Sequence, residues 1–313
     1  MTAVGSSQTF YQQISANKRK TVVLIVLSVL FLGAIGYAVG LLWFSGPAGL
    51  VVAGGIAIVM SVSSYLYGDR MVLAASRARE VTAEQEPRLH NVIEGLAIAA
   101  GVPKPRVYVV AENAPNAFAT GRDPEHSSIA VTQGLLDIMD RVELEGVIGH
   151  EMSHVVDRDI LVGTVVATLV GAAILLSEFV MRFWWFGGGG RRSGNNNNSG
   201  GGAVGLVLFI VGIALLVLAP LLGQLIRLSV SRNREYLADA QGAMLTRYPP
   251  GLISALGKIR DAPHTMRGAN NATAHLWLDQ PSRVPGNGNT STMEKLFSTH
   301  PPMQERIKRL QEM

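Results

Sequence analysis

Residues 149–159 read G-H-E-M-S-H-V-V-D-R-D and run straight into I-L-V-G-T-V-V-A-T-L-V (160–170), a stretch without a charge. The first half places two histidines four apart around a glutamate. On a helix, positions i and i+4 lie one above the other, so His150 and His154 share a face, with side-chain roots roughly 6 Å apart. Two imidazoles at that spacing can converge on one Zn²⁺ at about 2.1 Å each. Glu151, beside the first ligand, points to the edge of the site, where it can hold and deprotonate the attacking water. Two unrelated histidines would be a poor alternative on a helix otherwise lined by Val142, Leu144, Val147 and Ile148.

A catalytic zinc takes a third protein ligand and keeps one position for water. The chain has no cysteine, so that ligand is His, Asp or Glu. H-E-x-x-H-x-x-G-x-x-H would supply a third histidine, but here V-V-D-R-D-I follows His154. The best candidate lies in S-R-N-R-E-Y-L-A-D-A-Q-G-A (231–243). There Glu235 can ligate the metal, and Asp239, one turn on, can accept the free ring N–H of a ligating histidine and fix its orientation. Asp157 and Asp159 follow the zinc helix and could each bond to a ligating histidine, but read first as helix-end or interfacial residues. His90, His126, His264 and His275 lack partner spacing and read as ordinary surface or structural positions.

The greasy half of the opening stretch belongs to a wider pattern. The 313 residues are 48% hydrophobic and 16% charged, well under the roughly 25% charged of soluble domains. Four apolar stretches, 21–44, 48–67, 160–180 and 203–226, each approach the ~20 residues that cross a bilayer as a helix. The first is too long for the core of a signal peptide, and no small-residue cleavage site follows it, so it reads as a retained anchor. Lys18, Arg19 and Lys20 before the first stretch, and Arg70, Arg77 and Arg79 after the second, place the N-terminus and the region after 68 in the cytoplasm. The net charge of +4 sits largely at the ends of these stretches, and no nucleic-acid motif accompanies it, so no nucleic-acid partner is expected.

The expected fold class is mainly α with a small β-sheet: four transmembrane helices and a cytoplasmic zinc metalloprotease domain. Its divisions are a cytoplasmic segment 1–20, a first transmembrane hairpin 21–67, a protease part 68–159, a second hairpin 160–226 and a second protease part 227–313. The low-complexity run 187–202 is a flexible loop, and the polar stretch 261–291 is expected to be mobile. Pro87 starts a helix with an apolar stripe from Leu89 to Ala100, and R-V-Y-V-V (106–110) has strand composition. Residues 114–121 and 127–132 flank the turn R-D-P-E-H as a hairpin, and 135–158 is helical in two segments meeting near Arg141. The second piece is helical over 229–247, 250–260 and 302–312. From His154 to the apolar run is about six residues, roughly 9 Å of helix, so the site is hung close to the bilayer.

G-H-E-M-S-H, then R-E-Y-L-A-D-A-Q-G-A, then F-S-T-H-P-P-M-Q-E-R-I-K-R-L (297–310) resemble the HtpX family of membrane-integral zinc metalloproteases, gluzincins related to the CAAX prenyl proteases. P-K-P-R-V-Y-V-V and N-A-F-A-T-G also match, and the resemblance runs from about residue 20 onward. The loop 187–202 and the stretch 261–291 look like this chain's own elaborations. The resemblance implies one Zn²⁺ per chain, held by His150, His154 and Glu235, in a multi-pass protein of the cell membrane. It implies that Asn116, Ala117, Phe118 and Ala119 form the strand on which substrate pairs, and that His300 and Arg306 align substrate and stabilise its oxyanion. The implied substrates are unfolded polypeptides and misfolded or damaged membrane proteins, in quality control. A prenyl-protein processing protease is the alternative enzyme, against which four stretches argue. A catalytically inactive scaffold is the other alternative, against which Glu151 argues.

Overall fold

A computed structural model of the chain describes residues 47–171, 232–262, 266, 273–279 and 301–313, with isolated positions 15, 19, 22, 23 and 26; several side chains between 47 and 60 are not included. The first and fourth apolar stretches, the loop 187–202, most of 261–291, His264 and His300 therefore lie outside the described residues.

The described chain is mainly helical around a small mixed sheet. Helix α1 (Pro47–Ala75) leads into β1 (Ala78–Glu80), α2 (Pro87–Ala100), β2 (Arg106–Val110), β3 (Ala117–Gly121) and β4 (Ser127–Thr132). Helices α3 (Gln133–Ile138) and α4 (Arg141–Val156) follow. Residues 159–171 form the described part of a further helix, α5. Then come α6 (Arg232–Thr246), α7 (Pro249–Asp261) and α8 (Met303–Gln311).

The strand order is β1-β2-β4-β3. β1 and β3 pair antiparallel with β2 and β4, while β2 and β4 run parallel. The expected hairpin is therefore present, and β3 is an edge. Alternation along the strands divides the core in two. Val107, Val109, Ala117, Ala119, Ile129 and Val131 face α2 and α4, whereas Tyr108, Val110, Phe118 and Ala130 pack with Val72, Leu73, Ala167, Met266 and Trp277. β1 had no clear signal: three residues, A-R-E, acquire strand geometry only by pairing with β2.

Local chemistry explains the helix ends. The Thr132 hydroxyl caps α3, and Asp140 with Glu143 forms a reciprocal capping box that opens α4. This is the break expected near Arg141. The Glu143 carboxylate also accepts hydrogen bonds from Ser254 (2.7 Å) and Lys258 (2.6 Å), tying α7 to the start of α4.

One expectation needs correction. The chain is not continuously helical from His154 into the apolar run: residues 157–158 form a turn, and Arg158 is left-handed (φ 57°). The start of the third apolar stretch is also a wall of the domain. Ile160, Val162, Val165 and Val166 are buried, and the Thr164 hydroxyl meets the Thr120 hydroxyl (2.8 Å) and accepts the Gly121 N–H (3.1 Å). Among the described residues no helix is long and apolar enough to cross a membrane.

Candidate metal centre and substrate cleft

Helix α4 is buried on nearly every side, and α6 crosses it at backbone contact. A Cβ on Gly242 would lie 2.7 Å from the His150 backbone nitrogen, and one on Gly149 would lie 3.1 Å from the Gly242 carbonyl oxygen. This close crossing brings Glu235 and Asp239, on the preceding turns of α6, to the two histidines of α4.

The three expected ligands converge. His150 Nε2 and His154 Nε2 are 3.3 Å apart, and the Glu235 carboxylate is 3.8 Å from the first and 3.7 Å from the second. Tetrahedral bonds of about 2.0–2.2 Å put ligand atoms roughly 3.3–3.6 Å apart, so the set fits a zinc ion. The opposite ring nitrogens agree. His150 Nδ1 faces Asp239 Oδ1 at 2.9 Å and His154 Nδ1 faces Asp159 Oδ2 at 3.3 Å. With those protons assigned to the carboxylates, both Nε2 lone pairs and the Glu235 oxygens point at one place. In that tautomer the three acceptors face one another, an arrangement that could hold a metal ion.

Burial would depress the His154 imidazole, but the Asp159 hydrogen bond and the charges of Glu235, Asp159 and Glu151 outweigh it and raise it to about 9. Burial likewise disfavours the Asp239 carboxylate, yet the Arg306 charge and hydrogen bonds from Arg306 and His150 hold it down at about 2. Asp159 is also lowered, against its burial, chiefly by the His154 hydrogen bond and the Arg234 charge.

Asp239 lies within reach of the His150 ring, and its carboxylate is held in turn by Arg306. Arg306 is fully buried, donating through Nε (2.8 Å) and Nη2 (2.6 Å) to the two Asp239 oxygens, with Nη2 lying 3.2 Å from His150 Nδ1. The guanidinium thus braces the Asp239–His150 pair from behind and is not among the groups lining the cleft.

The cleft is lined by Ala119, Glu151, His154, Asp159, Ile160, Gly163, Arg234, Glu235, His275 and Leu276. Glu151, His154 and Glu235 therefore open onto the same cleft as Ala119 of β3. Asn116, Ala117, Phe118 and Ala119 are all buried, and only Ala119 lines the cleft. The Asn116 side chain is engaged by Asp279. The Phe118 ring turns away to the outer core, edge-on to Trp277 at 4.6 Å.

Three residues play a larger part than their sequence reading gave them. Asp159, read first as a helix-end or interfacial residue, meets His154 and is itself held by Arg234 (2.8 Å). On a continuous helix it would sit about 140° round from His154; the turn at 157–158 swings it back. His275, read as an ordinary position, is buried and reaches the Gly163 carbonyl at 3.2 Å. Gly242 lies inside the R-E-Y-L-A-D-A-Q-G-A match but was given no role, yet it sets the distance between α4 and α6.

A helix-borne pair of histidines, a glutamate from a second helix and an intervening acid beneath a free strand edge define a metallopeptidase. Comparison with known proteins agrees. The sequence profile described as Peptidase family M48 matches residues 83–313. The chain is 44% identical over 311 residues to "Protease HtpX homolog" of Thermoanaerobacter pseudethanolicus, covering 98% of this chain and 99% of that one. It is 42% identical over 305 residues to the protein of the same name from Dictyoglomus thermophilum, covering 97% and 95%. Among solved structures, S. mikatae Ste24p aligns with a TM-score of 0.50 at 16% identity, over 95% of this chain and 66% of that one, a likeness of fold. The chain belongs to peptidase family M48.

Proposed function

We propose that this protein is a membrane-anchored zinc endopeptidase that cuts unfolded or damaged membrane polypeptides. The observation that carries the reading is the convergence of His150, His154 and Glu235 on one point, with Glu151 and the Ala119 edge opening onto the same cleft. His150, His154 and Glu235 would hold the ion. Bound there, zinc supplies Lewis-acid polarisation of the scissile carbonyl and lowers the pKa of water.

The remaining steps fall to the chain's own groups. Asp239 and Asp159 hold the two imidazoles by their Nδ1 protons, so that both Nε2 lone pairs face the site. Glu151 takes a proton from the attacking water and passes it to the leaving amine as the C–N bond breaks. The outward N–H and C=O of Ala119 pair with the substrate main chain, which makes recognition tolerant of side chains. His300 is assigned, on the family resemblance, as a donor to the oxyanion.

Anchoring rests on the four apolar stretches and on the relatives' family. The exposed Val51, Ile58, Val59, Val62 and Leu66 along α1 suit contact with lipid. The N-terminus, C-terminus and active site are then cytoplasmic.

Zinc stoichiometry and casein cleavage, measured for the full chain and for Glu151→Gln, test the reading. One zinc per chain in both, with cleavage lost in Glu151→Gln, is the expected result. Stoichiometric zinc without cleavage of any unfolded substrate would favour an inactive scaffold, and cleavage confined to prenylated peptides a prenyl-protein protease.

A further inference from the structure

The free edge of β3 already carries part of this chain. Pairing with β4 alternates along an antiparallel strand, so Ala117, Ala119 and Gly121 turn their N–H and C=O groups outward. At one end the Gly121 N–H reaches the Thr164 hydroxyl. At the other, the Ala117 C=O accepts the Leu278 N–H at 2.9 Å. Next to it the Asn116 carboxamide grips both main-chain groups of one residue. Its Oδ1 accepts the Asp279 N–H (3.0 Å), and its Nδ2 donates to the Asp279 C=O (2.6 Å). With Asn116 opposite Asp279 and Ala117 opposite Leu278, the segment runs antiparallel to β3. Its side chains alternate as a strand's do: Leu278 enters the inner core and Trp277 the outer one.

We infer that residues 276–279 are an intramolecular peptide resident in the substrate groove, and that an extended substrate gains the Asn116–Ala117 end of the edge only by displacing them. The inference rests on the peptidase reading above. All three hydrogen bonds are made to main-chain atoms of the segment, which any extended peptide could supply in the same register. The occupant is also imperfectly seated. The Trp277 indole is 2% exposed, yet its Nε1–H has no hydrogen-bond partner among the described residues, so burial there is incompletely compensated. Release of the segment returns that donor to water.

The geometry also accounts for the segment's escaping cleavage by its own site. A 3-10 turn, Ala274–Leu276, directs the Leu276 N–H to the Thr273 C=O (3.0 Å), away from Ala119. The extended conformation is thus abandoned before it reaches Glu151. His275 and Leu276 nevertheless line the cleft and narrow it. A fraction of molecules with the segment lifted would be the binding-competent one, and the apparent substrate affinity would be reduced by that fraction.

Hydrogen exchange in full-length, zinc-loaded Glu151→Gln, with and without saturating unfolded casein, tests the inference. Exchange at the Leu278 and Asp279 amides should rise at least about ten-fold when casein binds, while Ile129–Val131 of β4 stay protected. Casein bound over a segment that keeps its protection overturns the inference. Leu278→Pro provides a second measurement, because it removes the N–H that pairs with Ala117. KM for an unstructured peptide should fall about five-fold with kcat unchanged, the effect of one hydrogen bond lost by the competitor. An unchanged or higher KM in the folded variant overturns the inference, and the exchange experiment stands if that variant does not fold. Failure of the peptidase reading looks different: no cleavage by the unaltered chain and no casein bound by Glu151→Gln.

Discussion

Gly242→Ala tests whether backbone contact between α4 and α6 sets the metal site. The new Cβ would fall 2.7 Å from the His150 nitrogen, 2.9 Å from the Gly149 carbonyl carbon and 3.0 Å from the His150 Cα. Comfortable contacts between such atoms are about 3.5–4.0 Å. All three obstacles are backbone, so no side chain can swing aside and the helices must part by roughly 0.5–1 Å. Overpacking of this kind costs about 1–3 kcal/mol, partly offset by the roughly 0.5–1 kcal/mol that alanine gains over glycine within a helix. Gly257→Ala, with nothing within 4 Å of its Cβ, takes the helix gain alone. The pair should therefore differ by about 1–3 kcal/mol in chemical denaturation. The sharper signal is at the site, because Glu235 and Asp239 ride on the displaced helix. Ligand distances tolerate only about 0.2 Å, and a misplacement near 1 Å costs about 10²-fold in rate. Zinc affinity by competition with a chromogenic chelator, and peptide cleavage, should both fall for Gly242→Ala and not for Gly257→Ala. Parental stability, affinity and rate in Gly242→Ala would refute the reasoning.

Two further outcomes follow from the buried charges. Arg306→Met leaves Asp239 buried without its bidentate partner and should lose about 3–5 kcal/mol at neutral pH; Arg306→Lys should not restore it, because an ammonium cannot fork. Since the folded Asp239 pKa of about 2 lies below its ordinary value, that stability is present above pH ~4 and fades as pH falls toward 2, so denaturation curves of parent and variant should approach one another in acid. Equal stability at neutral pH would remove the brace from the account. Asp157 has the opposite sign: burial and the neighbouring Asp159 charge, outweighing its Gln241 hydrogen bond, raise it to about 6 at the C-terminal end of α4. Ionising it therefore costs folding stability progressively from pH ~4 to ~6. Asp157→Asn should gain about 2–3 kcal/mol above pH 7 and little near pH 4, and a gain independent of pH would contradict the assignment.

Much of the site was legible because its parts are local. The i, i+4 repeat put His150 and His154 on one face, and the same repeat put Asp239 one turn beyond Glu235. The helix break near Arg141 and the hairpin strand over 114–121 were likewise visible in short windows. What was missed depends on breaks and contacts that no window contains. Asp159 faces His154 only because Arg158 turns left-handed, and Arg306 meets Asp239 only because α8 packs against α6.

The sequence by itself determined the chemistry on offer: which imidazoles can share an ion, which glutamate can move a proton, and how long the apolar stretches are. Periodicity and capping fix such relations within one element because backbone geometry is nearly invariant there. Only the tertiary structure decided which carboxylate holds which imidazole, which cation is sealed behind the site, and which peptide lies on the free edge. Arg306 meets Asp239 across 67 residues and Asn116 meets Asp279 across 163. Distances of that kind are set by how closely helices can pack, here by a glycine at the α4–α6 crossing, and by which segment buries its apolar side chains on either side of an edge strand.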